Sequence, residues 1–417
     1  MSSESTVNNH LIYIHEEEID FFERFVRVHN IDWPKDQKEN LVLAISKSLV
    51  GYIVTPLRKI NLSPKYKEIG FEHIFRMYLY VYGYQSTDSS NVLDVTSSSK
   101  SIDVIEMFLN HLIKNIKIGI IQEYIETNTI TTTIKGKVQY TQTYVNSLCC
   151  KRKPVVTKVH RLSLNNKINY LIVAALLKIR HIKNYSSKAN ELLMYFKNVN
   201  PNILSGKEAL KNIIFNTNTI RYQQTLVYAS MIIDQMDYDD LGNTVGTESF
   251  ILNFDKLFED FVVKILKEQP KERNFTVWNY PKKFAEVSLW GAVKGSRHYL
   301  PDILYKFNAE DEQYAYKASA YGVLDVKNKA YSQFKNADIY QILVYSSLLY
   351  AKKAILIYPS FSIRYPEKLV LDPDLFSPHT ITGVFINIAS SSGDEFLQDI
   401  KWFVELVEKV LLDIDYR

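Results

Sequence analysis

Leu300-Pro301-Asp302-Ile303-Leu304-Tyr305 and, about twenty residues later, Val323-Leu324-Asp325-Val326-Lys327 are two short apolar runs interrupted by charge. Both read as strands. A Pro-Asp pair alone is usually a turn, and an Asp-x-Lys alone is usually a solvated strand end. Here apolar residues lead straight into Asp325, which puts the carboxylate at the edge of a core, where an unpaired ion is expensive. Residues two apart on a strand share a face, so Asp325 and Lys327 point the same way.

The flanking sequence fits the same α/β frame. Upstream, Phe254, Leu257, Phe258, Phe261, Val262, Ile265 and Leu266 recur at helical spacing, which predicts an amphipathic helix. Strand patterns follow at 275–280, 299–307 and 318–326. A helix is expected over 337–350, strands over 354–358 and 381–388, and a terminal helix over 395–412. This order predicts a central mixed sheet flanked by helices.

Before that region, Asp237-Tyr-Asp-Asp-Leu-Gly-Asn-Thr-Val-Gly246 is rich in turn formers and has no apolar period. It divides the chain into residues 1–246, a mixed α+β region of one or two subdomains, and residues 247–417. In the first part a strand is expected at 11–15 and helices at 17–28, 38–49, 104–115 and 166–182. A loop is expected at 86–101, and a strand-like alternation covers 129–144.

Composition narrows the function classes. Of 417 residues, 46% are hydrophobic and 23% charged, which excludes a largely disordered chain. The longest apolar run, Tyr170–Leu177, has eight residues, far short of the ~18 that a membrane helix needs. The N-terminus lacks the pattern of an export signal. The two cysteines, Cys149 and Cys150, are adjacent, a poor disulfide pair and too few for a zinc site, so a cytoplasmic setting is expected. Residues from Thr247 onward carry 21 basic and 23 acidic groups, leaving 29 and 23 before them. Neither balance makes a strong field. No Gly-x-x-x-x-Gly-Lys-(Ser/Thr) occurs, so this chain is expected to bind no nucleotide in a P-loop.

Two carboxylates and a lysine on adjacent strands suit metal-assisted phosphodiester hydrolysis. Asp302 and Asp325 would hold Mg²⁺, a hard ion that takes a few protein oxygens and keeps its waters. The backbone carbonyl of Val326 offers a third ligand. Glu259, at the margin of its helix's apolar stripe, offers another through water. Lys327 would act on the attacking water and stabilise the phosphate. Lys294, Arg297 and Lys329 are candidate phosphate contacts. His298 is expected to pack near the strand mouth, Lys151-Arg152-Lys153 to be a solvated loop, and the cysteines to be structural.

Taken in order, helix Glu259, Pro301-Asp302, Asp325-x-Lys327 and Gln341-x-x-x-Tyr345 resemble the PD-(D/E)xK nuclease superfamily. Within it, Leu-Pro-Asp-Ile, Leu-Asp-x-Lys-x-Lys and Asp338-Ile-Tyr-Gln341 are similar to the McrC family, nuclease subunits of McrBC modification-dependent restriction systems. A weaker likeness lies in Ile134-Lys-Gly136-Lys-Val138 and in Leu162-Ser-Leu-Asn165-Asn-Lys-Ile-Asn169. The strong likeness spans 250–360 and the loose one 130–180. The resemblance implies a restriction-endonuclease-like fold for 247–417 and a Mg²⁺-dependent DNA endonuclease, with Mn²⁺ able to substitute. It implies DNA contacts by Gln341 and Tyr345, and a partner that is a GTP-driven AAA+ ring of McrB type, docked and stimulated by residues 1–246. The alternatives are a self-sufficient restriction endonuclease and a nuclease-fold DNA-binding or scaffold protein. Retention of Asp302, Asp325 and Lys327 argues against the scaffold.

Overall fold

A computed structural model describes residues 9–29, 31–34, 41–84, 93, 103–149, 155–235, 249–268, 274–278, 282–289, 292–310, 318–374 and 376–414. The Asp237–Gly246 boundary, Lys151–Lys153, Cys150 and, apart from Leu93, the 86–101 loop lie outside these residues. The chain begins with β1 (Asn9–Ile14), α1 (Ile19–Val28), β2 (Leu41–Ser46), β3 (Leu49–Val54), β4 (Lys59–Leu62) and α2 (Phe71–Tyr82). Next come α3 (Val104–Ile118), β5 (Glu123–Thr131), β6 (Lys137–Val138), α4 (Tyr140–Cys149), β7 (Val155–Ser163), α5 (Lys167–Ile179), α6 (Ser186–Leu193), α7 (Gly206–Lys211) and α8 (Gln223–Gln235). Then follow β8 (Phe250–Asn253), α9 (Phe254–Lys267), β9 (Phe275–Thr276), β10 (Lys282–Leu289), β11 (Ala292–Tyr299), β12 (Ile303–Asn308) and β13 (Ser319–Val326). The chain ends with α10 (Asn336–Leu348), β14 (Lys353–Ser360), β15 (Glu367–Val370), β16 (Thr380–Asn387) and α11 (Gly393–Leu411).

Two units emerge. One comprises residues 1–52, 56–102 and 251–417, and the other residues 53–55 and 103–250. This differs from a division at 246, because the first hundred residues fold with the last segment. The cause is visible at α2, where every residue from Ile74 to Tyr82 is buried and the helix packs on α9. The Lys264 ammonium of α9 donates to the C-terminal carbonyls of α2, to Tyr80 at 2.6 Å and Val81 at 3.2 Å, groups that a helix end otherwise leaves unsatisfied, and to the Tyr84 carbonyl just beyond it at 2.9 Å. The Arg76 guanidinium, 3% exposed, donates to the carbonyls of Leu93, Ser390 and Ser391.

The first unit is built on a six-stranded mixed sheet in the order β15-β16-β14-β13-β12-β9. β13, β14 and β16 run parallel, while β12 is antiparallel to β13 and β15 to β16. Helices cover both faces. Val323 shares a core cluster with Ile342 and Leu343 of α10. A Cβ on its neighbour Gly322 would come within 2.9 Å of Leu411 of α11. Successive residues of a strand face opposite ways, so α10 and α11 lie on opposite faces. The apolar stripe expected on the 254–266 helix is wholly buried.

The second unit combines α3, α5, α7 and α8 with an antiparallel sheet in the order β5-β7-β6. Helix α5 begins where Asn166 predicts it: its side chain accepts from the Asn169 amide at 2.9 Å. No helix among the described residues is long and apolar enough to cross a membrane.

Two expectations on local structure need correction, and one strand pair goes unannounced. The helix expected over 38–49 is the strand pair β2 and β3, the described part starting at Leu41. Leu41, Leu43 and Ile45 follow a period of two, with Leu43 and Ile45 buried and Ala44 and Ser46 exposed. The alternation over 129–144 ends in a helix, α4, from Tyr140. Between 280 and 299 the chain makes an antiparallel hairpin, β10–β11, which the sequence pattern does not announce.

Phe261 of α9 is fully buried, stacked on Phe396 of α11 at 5.4 Å and edge-on to Tyr80 of α2 at 5.6 Å. Phe261→Ala is expected to lower stability by about 3–5 kcal/mol, measured by denaturant unfolding. A loss below about 1 kcal/mol would contradict a shared core joining α2, α9 and α11.

Candidate active site

Strands β12 and β13 pair antiparallel with Ile303 opposite Leu324 and Leu304 opposite Val323. Carried one step further, that register sets Asp302 against Asp325. Like charges directly opposite each other repel. Pro301 has no N–H with which to extend the ladder, and β12 begins only at Ile303. The Val326 amide donates instead to Asp302 Oδ2 at 2.7 Å.

Asp325 is 2% exposed. The Lys327 ammonium is ion-paired to Asp325 Oδ2, yet that oxygen accepts no directed hydrogen bond. Lys327 Nζ also donates to Gln341 Oε1 at 2.8 Å, and Gln341 Nε2 donates to the Tyr345 hydroxyl at 2.8 Å. The predicted sharing of one face of α10 by Gln341 and Tyr345 is thus observed, and that face holds the lysine. The Lys327 amide donates to the Ile357 carbonyl at 2.8 Å, so its backbone remains in register with β14.

Burial sets the electrostatics. It drives the Asp302 carboxyl up to about 7, with the Asp325 and Glu259 charges adding to it and the Val326 amide and Lys327 opposing. Burial also raises Asp325, against the pull of Lys327. On Lys327 burial pulls downward, but Asp325, Asp338 and Asp302 outweigh it and hold the ammonium above its ordinary range. The pair therefore carries negative charge that one lysine does not fully compensate.

That charge suits a hard divalent cation. Among the described residues no group of three or more His, Cys, Asp or Glu side chains is placed to hold a metal. The chain would thus offer two carboxylates and leave the remaining positions to water and phosphate, as Mg²⁺ tolerates.

The other predicted residues lie around this centre. Glu259 stands at the rim in an ion pair with Lys256 at 2.7 Å, outside the carboxylate pair but near enough to act on Asp302. Val326 contributes its amide to Asp302. Lys329 is not a free cation: it is paired with Asp338 at 2.6 and 2.5 Å, a 3% exposed carboxylate that also accepts from the Tyr358 hydroxyl at 3.3 Å. Arg297 and His298 are exposed on β11, so His298 does not pack at the strand mouth as expected. The side chain of Lys294 lies outside the described residues. A cleft of about 470 Å³ opens beside Lys327, lined also by Lys256, Glu259, Lys329 and Asp338.

Sequence reasoning did not select Lys65, Tyr66, Asp255, Asn328 or Asp338. Asp338 stands in the first turn of α10, within the quoted motif, and its position before an apolar helix was a usable signal. Lys65 and Tyr66 carry no local signal.

A family model described as McrBC 5-methylcytosine restriction system component matches residues 45–359. No curated protein matches the chain. Among solved structures, a chain in a refined half-complex from the tetradecameric assembly of Thermococcus gammatolerans McrB AAA+ hexamers with bound McrC is 15% identical. Its TM-score is 0.49, covering 94% of this chain and 98% of that one. A chain of the Thermococcus gammatolerans McrBC complex, solved by cryo-EM, is 17% identical with a TM-score of 0.39, covering 63% of this chain and 86% of that one.

The Asp302 shift has a defined sign. Its folded value, about 7, lies above the unfolded value of about 3.9, so the folded state binds the extra proton. The associated stability is present below about pH 4 and is lost as pH rises through 7. Without divalent cations, Asp302→Asn is expected to flatten this decline and to raise stability at pH 8, by on the order of 1–3 kcal/mol. Urea unfolding at pH 5 and pH 8 measures it. An unchanged slope would remove Asp302 from the buried pair.

Proposed function

The chain belongs to the McrBC 5-methylcytosine restriction system component family, and on that premise we propose that it is the nuclease subunit of such a system. It is a Mg²⁺-dependent DNA endonuclease of PD-(D/E)xK type and resembles McrC. One observation carries this reading: Asp302 and Asp325 meet at the end of the β12–β13 pair with Lys327 ion-paired beside them.

When bound, Mg²⁺ (or Mn²⁺) would supply Lewis-acid polarisation of the phosphodiester and a more acidic water. The chain's own residues do the rest. Asp302 and Asp325 present hard oxygens, with the Val326 carbonyl adjoining and Glu259 reaching in through water. Lys327, held protonated by its carboxylate neighbours, orients the attacking water and stabilises the negative charge that develops on the phosphoryl oxygens. Gln341 and Tyr345 fix where that ammonium points. Lys294 and Arg297 contact backbone phosphates.

The chain has no P-loop of its own. Its motor is a separate AAA+ GTPase ring of McrB type, which this chain engages and stimulates in the cytoplasm, in defence against phage DNA. Full chain alone is expected to cut poorly and to cut when the ring and GTP are added. Robust GTP-independent cleavage of unmodified DNA would favour the self-sufficient endonuclease instead.

Asp325→Asn and Lys327→Ala are each expected to lower Mg²⁺-dependent cleavage by about 100-fold or more while circular dichroism and ring binding stay unchanged. Calorimetric titration with Mg²⁺ or Mn²⁺ should show binding that disappears in Asp302→Asn. Normal cleavage by either variant sinks the catalytic assignment, and undiminished binding in Asp302→Asn moves the metal elsewhere.

A further inference from the structure

Lys327 and Lys329 flank a single residue, Asn328, and the Lys329 amide donates to the Lys327 carbonyl at 2.8 Å. This is a three-residue turn closed by an i to i+2 hydrogen bond. It sends the two lysine side chains to Asp325 and to Asp338 and leaves Asn328 directed at α9. Asn328 Nδ2 donates to Asp255 Oδ1 at 2.9 Å and to the Phe254 carbonyl at 3.3 Å. Its Oδ1 accepts from the Tyr66 hydroxyl at 3.0 Å. The Lys65 ammonium donates to the Asn328 carbonyl and pairs with Asp255 at 2.6 Å. Tyr66 is 7% exposed, with its ring against Phe254 at 6.1 Å and Phe361 at 5.0 Å. Every side-chain and backbone oxygen of the turn's central residue is thus engaged.

We propose that Lys65 and Tyr66 are positioning residues for the reaction: they clamp the Asn328 turn onto the start of α9 and so fix the direction of Lys327. The proposal rests on the reading of Lys327 as catalytic. Neither residue touches the carboxylate pair, and their sequence distance from Asn328, 263 and 262 positions, means the N-terminal segment completes the site. A three-residue turn closed by one hydrogen bond has little stiffness of its own. A shift of about 1 Å at a catalytic group costs up to roughly a hundredfold in rate. Loss of the clamp therefore acts on the chemical step rather than on DNA affinity.

The test uses the full chain with its ring and GTP, and the variants Lys65→Ala, Lys65→Arg and Tyr66→Phe. Tyr66→Phe retains the buried ring and removes only the hydroxyl, so its fold is secure. Hydrogen exchange by mass spectrometry should quicken about tenfold in residues 325–330 of Lys65→Ala and Tyr66→Phe, with residues 380–387 unchanged. The single-turnover cleavage rate should fall by roughly tenfold to a hundredfold, with half-saturating DNA concentration within about twofold. Lys65→Arg should restore both. Unchanged exchange in 325–330, an equal rise in 380–387, or a normal cleavage rate in a loosened turn each overturns the proposal. If the parent chain cuts no faster than Lys327→Ala, the catalytic reading has failed, and the exchange pattern alone then decides whether the clamp exists.

Discussion

Two carboxylates face each other across the end of an antiparallel strand pair, and the surrounding structure is organised by the cost of keeping them there. Asp325 is almost wholly buried, and Asp302 is buried enough to be pushed to about 7. Nearby groups offset that cost in turn. The Val326 amide goes to Asp302, and the Lys327 ammonium goes to Asp325. Gln341 and Tyr345 then hold the ammonium from α10. A third carboxylate, the buried Asp338, holds Lys329 and raises Asp325 further. Such a cluster is a poor way to gain stability, since apolar packing of the same volume does as well or better. Under the function proposed above, the cluster is provision for a cation that the protein does not itself supply.

Legibility in the sequence followed the range of the forces involved. The proximity of Asp302 to Asp325, the shared face of Asp325 and Lys327 and the Gln341–Tyr345 face follow from short-range strand and helix geometry within about twenty residues and are readable, whereas the Asp325–Lys327 ion pair is not. Helix α9 was readable because one face is apolar and the other is not. Helix α2 was not, because burial on all sides removes the contrast on which periodicity depends. The β2–β3 pair was misread because Leu41, Ile45 and Leu49 also satisfy helical spacing, and only Leu43 breaks the tie. The Lys65 and Tyr66 contacts lie beyond any local pattern, since an isolated lysine and tyrosine in a loop read as ordinary surface.

The same limit explains why the division at 246 did not match the folded units. Composition does change there, and α9 does start a new pattern. What composition cannot report is that α2 needs α9 to cover it, or that the carbonyls at its end need Lys264. Arg76, buried among carbonyls of Leu93 and of Ser390–Ser391, ties the same early segment to the turn before α11. The proposed partner contacts must therefore be sought with the whole chain, because removing the first hundred residues would strip the core that carries the site.

The location of the site follows from a change of direction within the sheet. β13 pairs antiparallel with β12 on one side and parallel with β14 on the other. At its carboxyl end the two sides part company. The β14 side continues, with Ile357 accepting from the Lys327 amide, while the β12 side has stopped at Pro301. One flank of the chain therefore stays in the ladder while the other loses its backbone partner, the Val326 amide going to the Asp302 carboxylate instead, and the chain then turns away toward α10. In open α/β sheets such a gap beyond the carboxyl ends of the strands is where ligands bind. Here the gap is lined by side chains already fixed on its paired flank, which is the arrangement that positioned chemistry requires.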